Sequence, residues 1–472
     1  MLGYIACEKH ASESGRRYYI ASVDKRVSVH ELQSGIVLKV GEVADMIVDK
    51  GVVSSAAIIE EDEAQEYIAK LQESVVSEAK AQLNPKPYVR GIDALDRTTA
   101  KMWKHIATAA LVLIRKLMLG APVVVRFHND ADGSSGAYCI YRAMESLMKK
   151  LGSNHEGSVS WIMHTGVSYS ANDASYDTLL VNNYTSVEKP LLMIIDFGTS
   201  TDSNNGIRQA ENAFDIIWLD HHPIVEGFEG TRLKNYMNPW LFGSDSNYTA
   251  GFLASMLGRS FSEINLPVME DASFIGDYSE YATAGKQAVD TAMILDLLTS
   301  DTRIGSGSFH NRISPKEIGN IFKNHEKMEE LLGYANNKLG EALDAGLDAM
   351  RRHKAGNGDV FVLDFEKVKS EESKYPLPGR YASKLLDRLR EIYGPNTVVI
   401  VHVGAYISIR LGKELGERID LLATISDIKS RYENLVEGGG GHRCAASIKL
   451  RDKDAKSTVL KELAATFKSA LA

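Results

Sequence analysis

The 472-residue chain is poor in cysteine. Its three thiols, Cys7, Cys139 and Cys444, lie far apart, and no CxxC or Cys-His spacing connects them. That excludes a disulfide framework and a zinc–thiolate site and points to a reducing interior. Long apolar runs are missing as well. The longest helical one, Ile106 to Ile114, is bounded by Lys104 and Arg115 and is too short to span a bilayer, so no membrane association is expected. The opening residues MLGYIACEKH lack a basic region followed by an apolar core. No secretory signal is therefore expected, and the expected location is the cytoplasm. No low-complexity tract and no short internal repeat is present.

What is there is an ordinary globular composition, 44% hydrophobic and 25% charged, over a length that predicts two to four domains. The net charge of −8 argues against a surface that binds nucleic acid everywhere. It is unevenly spread: residues 374–472 hold 17 Lys plus Arg against 11 Asp plus Glu, and the remainder 37 against 51. A basic C-terminal module beside an acidic body suits a polyanion held by one module and processed at carboxylate-bound metal in the other.

Residues 1–85 alternate β-like runs (Tyr18 to Val23, Ile36 to Val40, Val52 to Ile59) with a polar helix from Glu61 to Leu83, and Asn84-Pro85-Lys86-Pro87 reads as a break. Beyond it, a helix from Thr98 to Leu119 leads into strands at Val123 to Phe127, Val159 to His164, Thr178 to Val181, Leu191 to Ile195 and Phe214 to Leu219. Helices are expected at Ser134 to Lys150, Ser203 to Asn212 and Thr249 to Leu257. This alternation predicts a doubly wound α/β parallel sheet. Residues 271–354 read as helical, and Lys354 to Asp359 as a linker. A second, smaller α/β module follows, with strands at Val360 to Asp364, Thr397 to Val403 and Ala405 to Leu411, a helix at Ala382 to Tyr393, the glycine run Gly438 to Gly441 and a closing helix. The expected division is 1–85, 86–270, 271–355 and 356–472.

Chemistry gathers where the apolar runs stop. Ile216 to Leu219 ends in Asp220-His221-His222-Pro223. The carboxyl ends of parallel strands are where such sheets bind ligands. Adjacent His residues on an extended end point to opposite sides, so one can bind metal while the other faces substrate. The strand Val123 to Phe127 runs into His128-Asn129-Asp130-Ala131-Asp132-Gly133, whose alternation places one imidazole and two carboxylates on one side, fit for a divalent cation. Leu191 to Ile195 ends in Asp196-Phe197-Gly198. Three strands thus end in Asp or His at one sheet edge, a crowding of charge that cations would relieve.

The series His128-x-Asp130-x-Asp132-Gly133, Asp196 and Asp220-His221-His222 resembles motifs I to III of the DHH phosphoesterases. Gly439-Gly440-Gly441-His442 and Ser408-Ile409-Arg410 resemble the glycine signature and the Ser-x-Arg strand of their DHH-associated domain. The likeness covers residues 120–450, and the spacing, the N-terminal extension and the helical insertion are most similar to archaeal RecJ-like nucleases, some of which associate with the GINS replication complex. It implies a two-metal exonuclease on single-stranded DNA or RNA. His128 and Asp130 would hold one cation and Asp132, His221 and Asp277 the other, with Asp196 bridging. His222 would face the substrate phosphate, and Asp220 would orient an imidazole. Ser408, Arg410, Gly439, Gly440, Gly441 and His442 would bind the strand. Asp271 and Asp290 stand as alternatives to Asp277. Nitrogen and oxygen ligands without sulfur suit Mn²⁺, with Mg²⁺ the other candidate. Arg380, Lys384, Arg388, Lys413 and Arg443 could line a groove, with Tyr381 and Tyr406 stacking on bases or lying in the core. Two other readings stay open, a phosphodiesterase or phosphatase for short oligonucleotides or nucleotides and a replisome-bound scaffold. Ile321, Phe322, Met328, Leu331 and Leu332 lie close together and are expected mostly as core; any of them that form an exposed apolar patch could dock a partner such as GINS.

Overall fold

A computed structural model describes residues 1–11, 15–23, 27–153, 158–283, 285–300, 313–368, 375–441 and 443–471. The chain divides into two compact units, Met1–Ala292 with Gly307–Asn320, and Met293–Ser306 with Ile321–Ala472.

The first unit begins with β1 (Leu2–Ala11), β2 (Gly15–Ala21), β3 (Val27–Leu32), β4 (Val43–Asp49) and β5 (Val52–Ile58). The pairings run β1–β2–β3–β5–β4–β1, all antiparallel except β3 with β5, so the sheet closes on itself. That order is a five-stranded Greek-key barrel of the OB type. A register shift between Ile5 and Cys7 bends β1, letting one strand serve both β4 and β2. Ile5, Tyr18, Ile20, Ala44, Met46 and Val53 fill the barrel. Ile36 to Val40, expected as a strand, is irregular: Gly35 and Gly41, at φ +92° and +95°, turn the chain on either side, and Leu38 plugs the barrel. The outward residues Cys7, Tyr19, Ala21 and Val27 join the core made by α1 (Glu61–Ala81) and α2 (Asp93–Met118). The outward side of the barrel is therefore packed against this chain's own helices at Tyr19, Ala21 and Val27.

The rest of the unit is the expected doubly wound sheet. Its elements are β6 (Val123–His128), α3 (Ala131–Leu151), β7 (Val159–His164), α4 (Ala171–Val181), β8 (Tyr184–Ser186), β9 (Leu191–Ile195), α5 (Asn204–Ala213), β10 (Asp215–Leu219), β11 (Asn235–Met237), α6 (Ala250–Arg259) and α7 (Pro267–Gly276). The sheet order is β11-β10-β9-β6-β7, with every pairing parallel. Val123, Val125, Phe127, Met193 and Ile217 face the core with α2, α3 and α6, while Val124, Leu192, Ile194 and Trp218 face the other, with α4 and α5. Burial on both faces explains why the strands read as unbroken apolar runs. Thr178 to Val181, expected as a strand, is the last turn of α4. A complete capping box between Ser170 and Asp173 starts that helix, and the strand that follows it, β8, pairs with β1 of the barrel. From β6 the chain goes to β7 on one side and later to β9 on the other. The β6–β9 boundary is therefore a topological switch point, the place at the strands' carboxyl ends where sheets of this kind bind ligands.

α8 (Lys286–Ser300) and α9 (Pro315–Phe322) straddle the boundaries of the two units. The second unit continues with α10 (His325–Ala349), β12 (Arg351–Ala355), β13 (Gly358–Asp364), α11 (Pro378–Tyr393), β14 (Thr397–Val403), β15 (Tyr406–Leu411), the turn α12 (Lys413–Gly416), α13 (Leu421–Arg431), β16 (Val436–Gly441), β17 (Ala445–Leu450) and α14 (Lys456–Leu471). Its sheet order is β12-β13-β14-β15-β17-β16. The stretch read as a linker is instead a hairpin. Ala355 pairs with Gly358, and Gly356 at φ +54° closes the turn, so a polar Gly-Asn-Gly sequence marks a turn between strands. The glycine run is likewise a strand, held along its length by β17. Of Ile321, Phe322, Met328, Leu331 and Leu332, Leu331 is buried and the other four are half-buried. Among the described residues no helix is long and apolar enough to cross a membrane.

Candidate metal centre

Three neighbouring parallel strands deliver the site. β6 ends at His128, β9 is followed by Asp196, and β10 is followed by Asp220, His221 and His222. Asp130 caps α3, accepting the Gly133 N–H at 3.0 Å, and Asp132 lies in that helix's first turn. Asp277 caps the C-terminus of α7.

Two groups of ligand atoms result. His128, Asp130 and Asp196 form one, and Asp132, Asp196, His221 and Asp277 the other, the donor atoms of each lying within 4.8 Å of one another. Asp196 belongs to both. Of the alternatives to Asp277, Asp271 binds Arg90 Nη2 at 2.5 Å and Asp290 pairs with Lys286 at 2.8 Å. Asp277 Oδ2 lies 2.9 Å from His221 Nε2.

Asp196 stands in a left-handed backbone conformation, φ +70°, which costs a non-glycine residue about 1–3 kcal/mol and occurs where surrounding structure imposes it. Its residue is 1% exposed, and neither carboxylate oxygen accepts a hydrogen bond of ordinary geometry, although His221 Nε2 and His128 Nδ1 lie 3.3 and 3.7 Å away. Like charges separated by about 5 Å repel by about 3 kcal/mol at an effective dielectric near 20. The titration behaviour reflects this crowding. Burial first, then Asp196 and Asp277, push Asp132 well above the usual carboxylate range; burial and Asp130 raise Asp196. Burial opposes the charged form of His221, but Asp196 and Asp277 hold its ring well above the ordinary imidazole value. An uncompensated cluster must take up protons, and divalent cations would replace them. The oxygen and nitrogen donors, the orphaned Asp196 oxygens and the repulsion all fit such cations.

The supporting contacts fix these ligands. His221 Nδ1 lies 2.8 Å from the Ser246 carbonyl. A carbonyl only accepts, so Nδ1 carries the proton and Nε2, in the neutral ring, presents a lone pair to the carboxylates. Asp132 accepts the N–H groups of Ala250 (3.0 Å) and Gly251 (2.8 Å) at the start of α6, and the Ser273 hydroxyl besides. A Cβ on Gly251 would stand 2.7 Å from Asp132 oxygens, so only glycine allows this approach. Ser273 also exchanges a hydrogen bond with Thr249, which explains why Thr249, at the N-cap of α6, caps nothing itself. Asp220 is an orienting group. Its Oδ1 takes the His222 Nδ1 at 2.7 Å and the His221 N–H at 2.8 Å, and its Oδ2 the Thr199 hydroxyl at 2.5 Å. Burial would raise Asp220, yet His222 foremost holds it well below the usual range. The paired imidazoles diverge less than an extended end implies: their centroids are 4.8 Å apart, and His222 forms a third ligand group with Asp196 and His221.

Nothing in the sequence pattern marks Thr199, Ser246, Gly251 or Ser273 as a site residue, and Thr249 is expected only as the start of a helix. Their contacts arise from tertiary approach, and the only local trace is the run of small residues that opens α6.

In the second unit Ser408, Ser447 and Gly440 share one row across β15, β17 and β16, and Arg410 lies two residues along the same face as Ser408. A Cβ on Gly440 would meet nothing within 4 Å, whereas one on Gly439 would strike Ile425 on α13, so the strand's open side is the one that carries Ser408 and Arg410. Gly441 pairs with Ala446, and His442 lies outside the described residues. Arg410 Nε donates to Ser383 Oγ at 2.9 Å. Of the other expected groove residues, Arg380 is tied to buried Asp296, Lys384 pairs with Asp387, and Arg388 with Glu391. Tyr381 is core, and Tyr406 is 46% exposed.

No family model matches the chain. An uncharacterized protein of Methanocaldococcus jannaschii is 24% identical over 480 residues, covering 88% of this chain and 62% of that protein, so the chain spans less than two thirds of its relative. Among solved structures, the DHH domain of a protein described as a member of a family of ribosomal proteins aligns with a TM-score of 0.71 at 20% identity, over 87% of this chain and 99% of that one. RecJ from Thermus thermophilus in complex with Mn²⁺ aligns at 0.48 and 16%, over 84% and 58%. This chain has the α/β fold of a DHH-domain protein.

Proposed function

We propose that the protein is a metal-dependent phosphodiesterase, an exonuclease on single-stranded DNA or RNA. The observation that carries the reading is Asp196, one strained, buried carboxylate shared by two ligand groups at a topological switch point. His128 and Asp130 would hold one cation, Asp132, His221 and Asp277 the other, and Asp196 both. Bound there, a pair of Mn²⁺ or Mg²⁺ ions supplies a hydroxide nucleophile and charge stabilisation at the leaving oxygen. The chain's own part is to hold the ligands in place. The Ser246 carbonyl sets the His221 tautomer, and α6 holds Asp132. His222, 37% exposed at its side chain and hydrogen-bonded to Asp220, would donate to a phosphate oxygen. In the second unit, Ser408, Arg410 and the open backbone of Gly440 suit a strand's phosphates, with Gly439, Gly441 and His442 assigned to the same role by motif resemblance alone. Association with a GINS-like complex gains no support from residues 321–332.

The test is incubation of pure protein with Mn²⁺ and end-labelled single strands of graded length, DNA and RNA alike. Progressive shortening of long strands is expected. Turnover confined to the shortest oligonucleotides would favour the nucleotide phosphodiesterase, and no turnover of any strand would remove the enzymatic reading.

A further inference from the structure

The loop after β11 returns to the Asp220-His221-His222 turn and carries a tryptophan there. Asn238 donates to the His222 carbonyl at 2.9 Å and caps the short turn Pro239–Phe242. Within that turn the Trp240 indole N–H reaches the His221 carbonyl and Ser246 Oγ, each at 3.1 Å. One edge of the ring is thereby fixed against the backbone of a metal-ligand candidate. The indole's single polar atom is satisfied, yet Trp240 remains 39% exposed, whereas Trp218 is fully buried and Trp103 is 9% exposed. The adjacent Leu241 is 49% exposed. On the other flank Tyr278, directly after Asp277, is 41% exposed and sits in a left-handed conformation, φ +53°. The two loops are joined: Ser279 Oγ donates to the Asn247 carbonyl at 2.7 Å, and the Glu280 N–H to Asn247 Oδ1 at 2.8 Å. Two exposed aromatic residues therefore flank the group formed by Asp132, Asp196, His221 and Asp277.

An indole whose N–H is already bonded offers a ligand only its apolar face, and what such a face recognises best is another flat ring. Phosphate has none; a nucleobase does. We infer that Trp240, with Tyr278 on the opposite flank of the ligand group, is a stacking platform for an unpaired nucleobase next to the scissile phosphate. This rests on the phosphodiesterase reading and narrows it, making a base-bearing single strand the substrate. Stacking tolerates any base, so the enzyme has little sequence preference, and a duplex, whose bases are already stacked on one another, is a poor ligand.

The experiment measures binding by the full-length protein of a fluorescein-labelled thymidine oligonucleotide about six residues long, and of an abasic strand of the same length. It is done in Ca²⁺ without Mn²⁺ or Mg²⁺, with strand integrity checked on a gel. The parent should bind the base-bearing strand about tenfold more tightly. Trp240→Leu should lose that preference, and Trp240→Phe, which keeps a ring but not the N–H, should keep most of it. Equal binding of both strands by the parent, or equal loss in the Leu and Phe variants, would overturn the platform while leaving Mn²⁺-dependent cleavage to stand. Binding of neither strand would overturn the nucleic-acid reading and the platform with it.

Discussion

The Ser246 carbonyl fixes which nitrogen of His221 always carries a proton, because its 2.8 Å contact to Nδ1 can form only if Nδ1 bears one. The remaining nitrogen then faces Asp277 at 2.9 Å, Asp196 at 3.3 Å and Asp132 at 3.7 Å. A protonated ring so placed points its Nε2–H at the carboxylates, whereas the neutral ring turns a lone pair toward all three. That arrangement is unfavourable by itself and favourable around a cation, which makes metal binding and native stability one question here.

The first prediction concerns Asp196. Asp196→Ala should lower hydrolysis about a thousandfold or more, a loss of about 4 kcal/mol in the transition state, because both ligand groups lose a member. Asp196→Asn should in addition leave the metal-free protein at least as heat-stable as the parent, since a buried carboxylate crowded by Asp130 and Asp277 is replaced by a neutral amide. Thermal midpoints with and without Mn²⁺ separate the effects, and substantial turnover by folded Asp196→Ala would end the two-metal assignment.

Ser273 registers two ligands that lie far apart in sequence. Its hydroxyl bonds Asp132 on α3, and its carbonyl accepts the Asp277 N–H at 3.2 Å at the end of α7. Ser273→Ala should weaken Mn²⁺ at the group containing both carboxylates about tenfold, the usual scale for a residue that orients a metal ligand. Thr249→Val should do less and add little to Ser273→Ala, because both act through one hydroxyl chain. Calorimetric Mn²⁺ titration of the parent, the two single variants and the double variant decides it; additive losses would mean that the chain does not act as a unit.

Much of this centre is legible in the sequence because its ligands end strands. The apolar runs stop at Phe127, Ile195 and Leu219, and both faces of the sheet are buried, so each run's end marks an edge position. The barrel is less legible. Its strands alternate weakly and are closed by non-local pairing between β3 and β5, a relationship that no local pattern encodes. The error at Thr178 to Val181 has the same root. A β-branched and leucine-rich quartet looks extended, but the Ser170–Asp173 capping box upstream commits it to a helix. Gly438 to Gly441 misleads in the opposite sense, since glycines suggest a loop until a partner strand supplies their hydrogen bonds.

His164 makes stability pH-dependent. It stacks on Phe197 at 4.0 Å, and its Nε2 lies 3.0 Å from the Ser168 carbonyl. Burial, only partly offset by Asp173, lowers it to about 4. An unfolded histidine titrates near 6.5, so between about 6.5 and 4 the unfolded chain takes the proton that the native state refuses. This contribution, about 3 kcal/mol, is present above pH 6.5 and is lost as pH falls toward 4. Denaturant midpoints of the metal-free protein from about pH 7.5 to 4.5 should fall less steeply for His164→Gln than for the parent; parallel curves would contradict the assignment.

The last prediction separates strand binding from chemistry. Arg410 is held by Ser383 at 2.9 Å and by the Ala446 carbonyl at 3.3 Å, which aims a planar guanidinium along the face shared with Ser408 and the open side of Gly440. If that face takes phosphates, Arg410→Ala removes one charge-assisted contact and one released counterion. Affinity for a single strand should fall several-fold at low salt, and the slope of log affinity against log salt should become shallower by about 0.7. Ser408→Ala, which deletes a neutral hydroxyl, should weaken binding without changing that slope. Fluorescence anisotropy across a salt series gives both quantities at once. Because the contact lies on the second unit, the loss should appear mainly in KM for long strands, while kcat for a small activated phosphodiester depends on the carboxylate centre. An Arg410→Ala protein with the parent's affinity and slope would show that this face does not hold the strand.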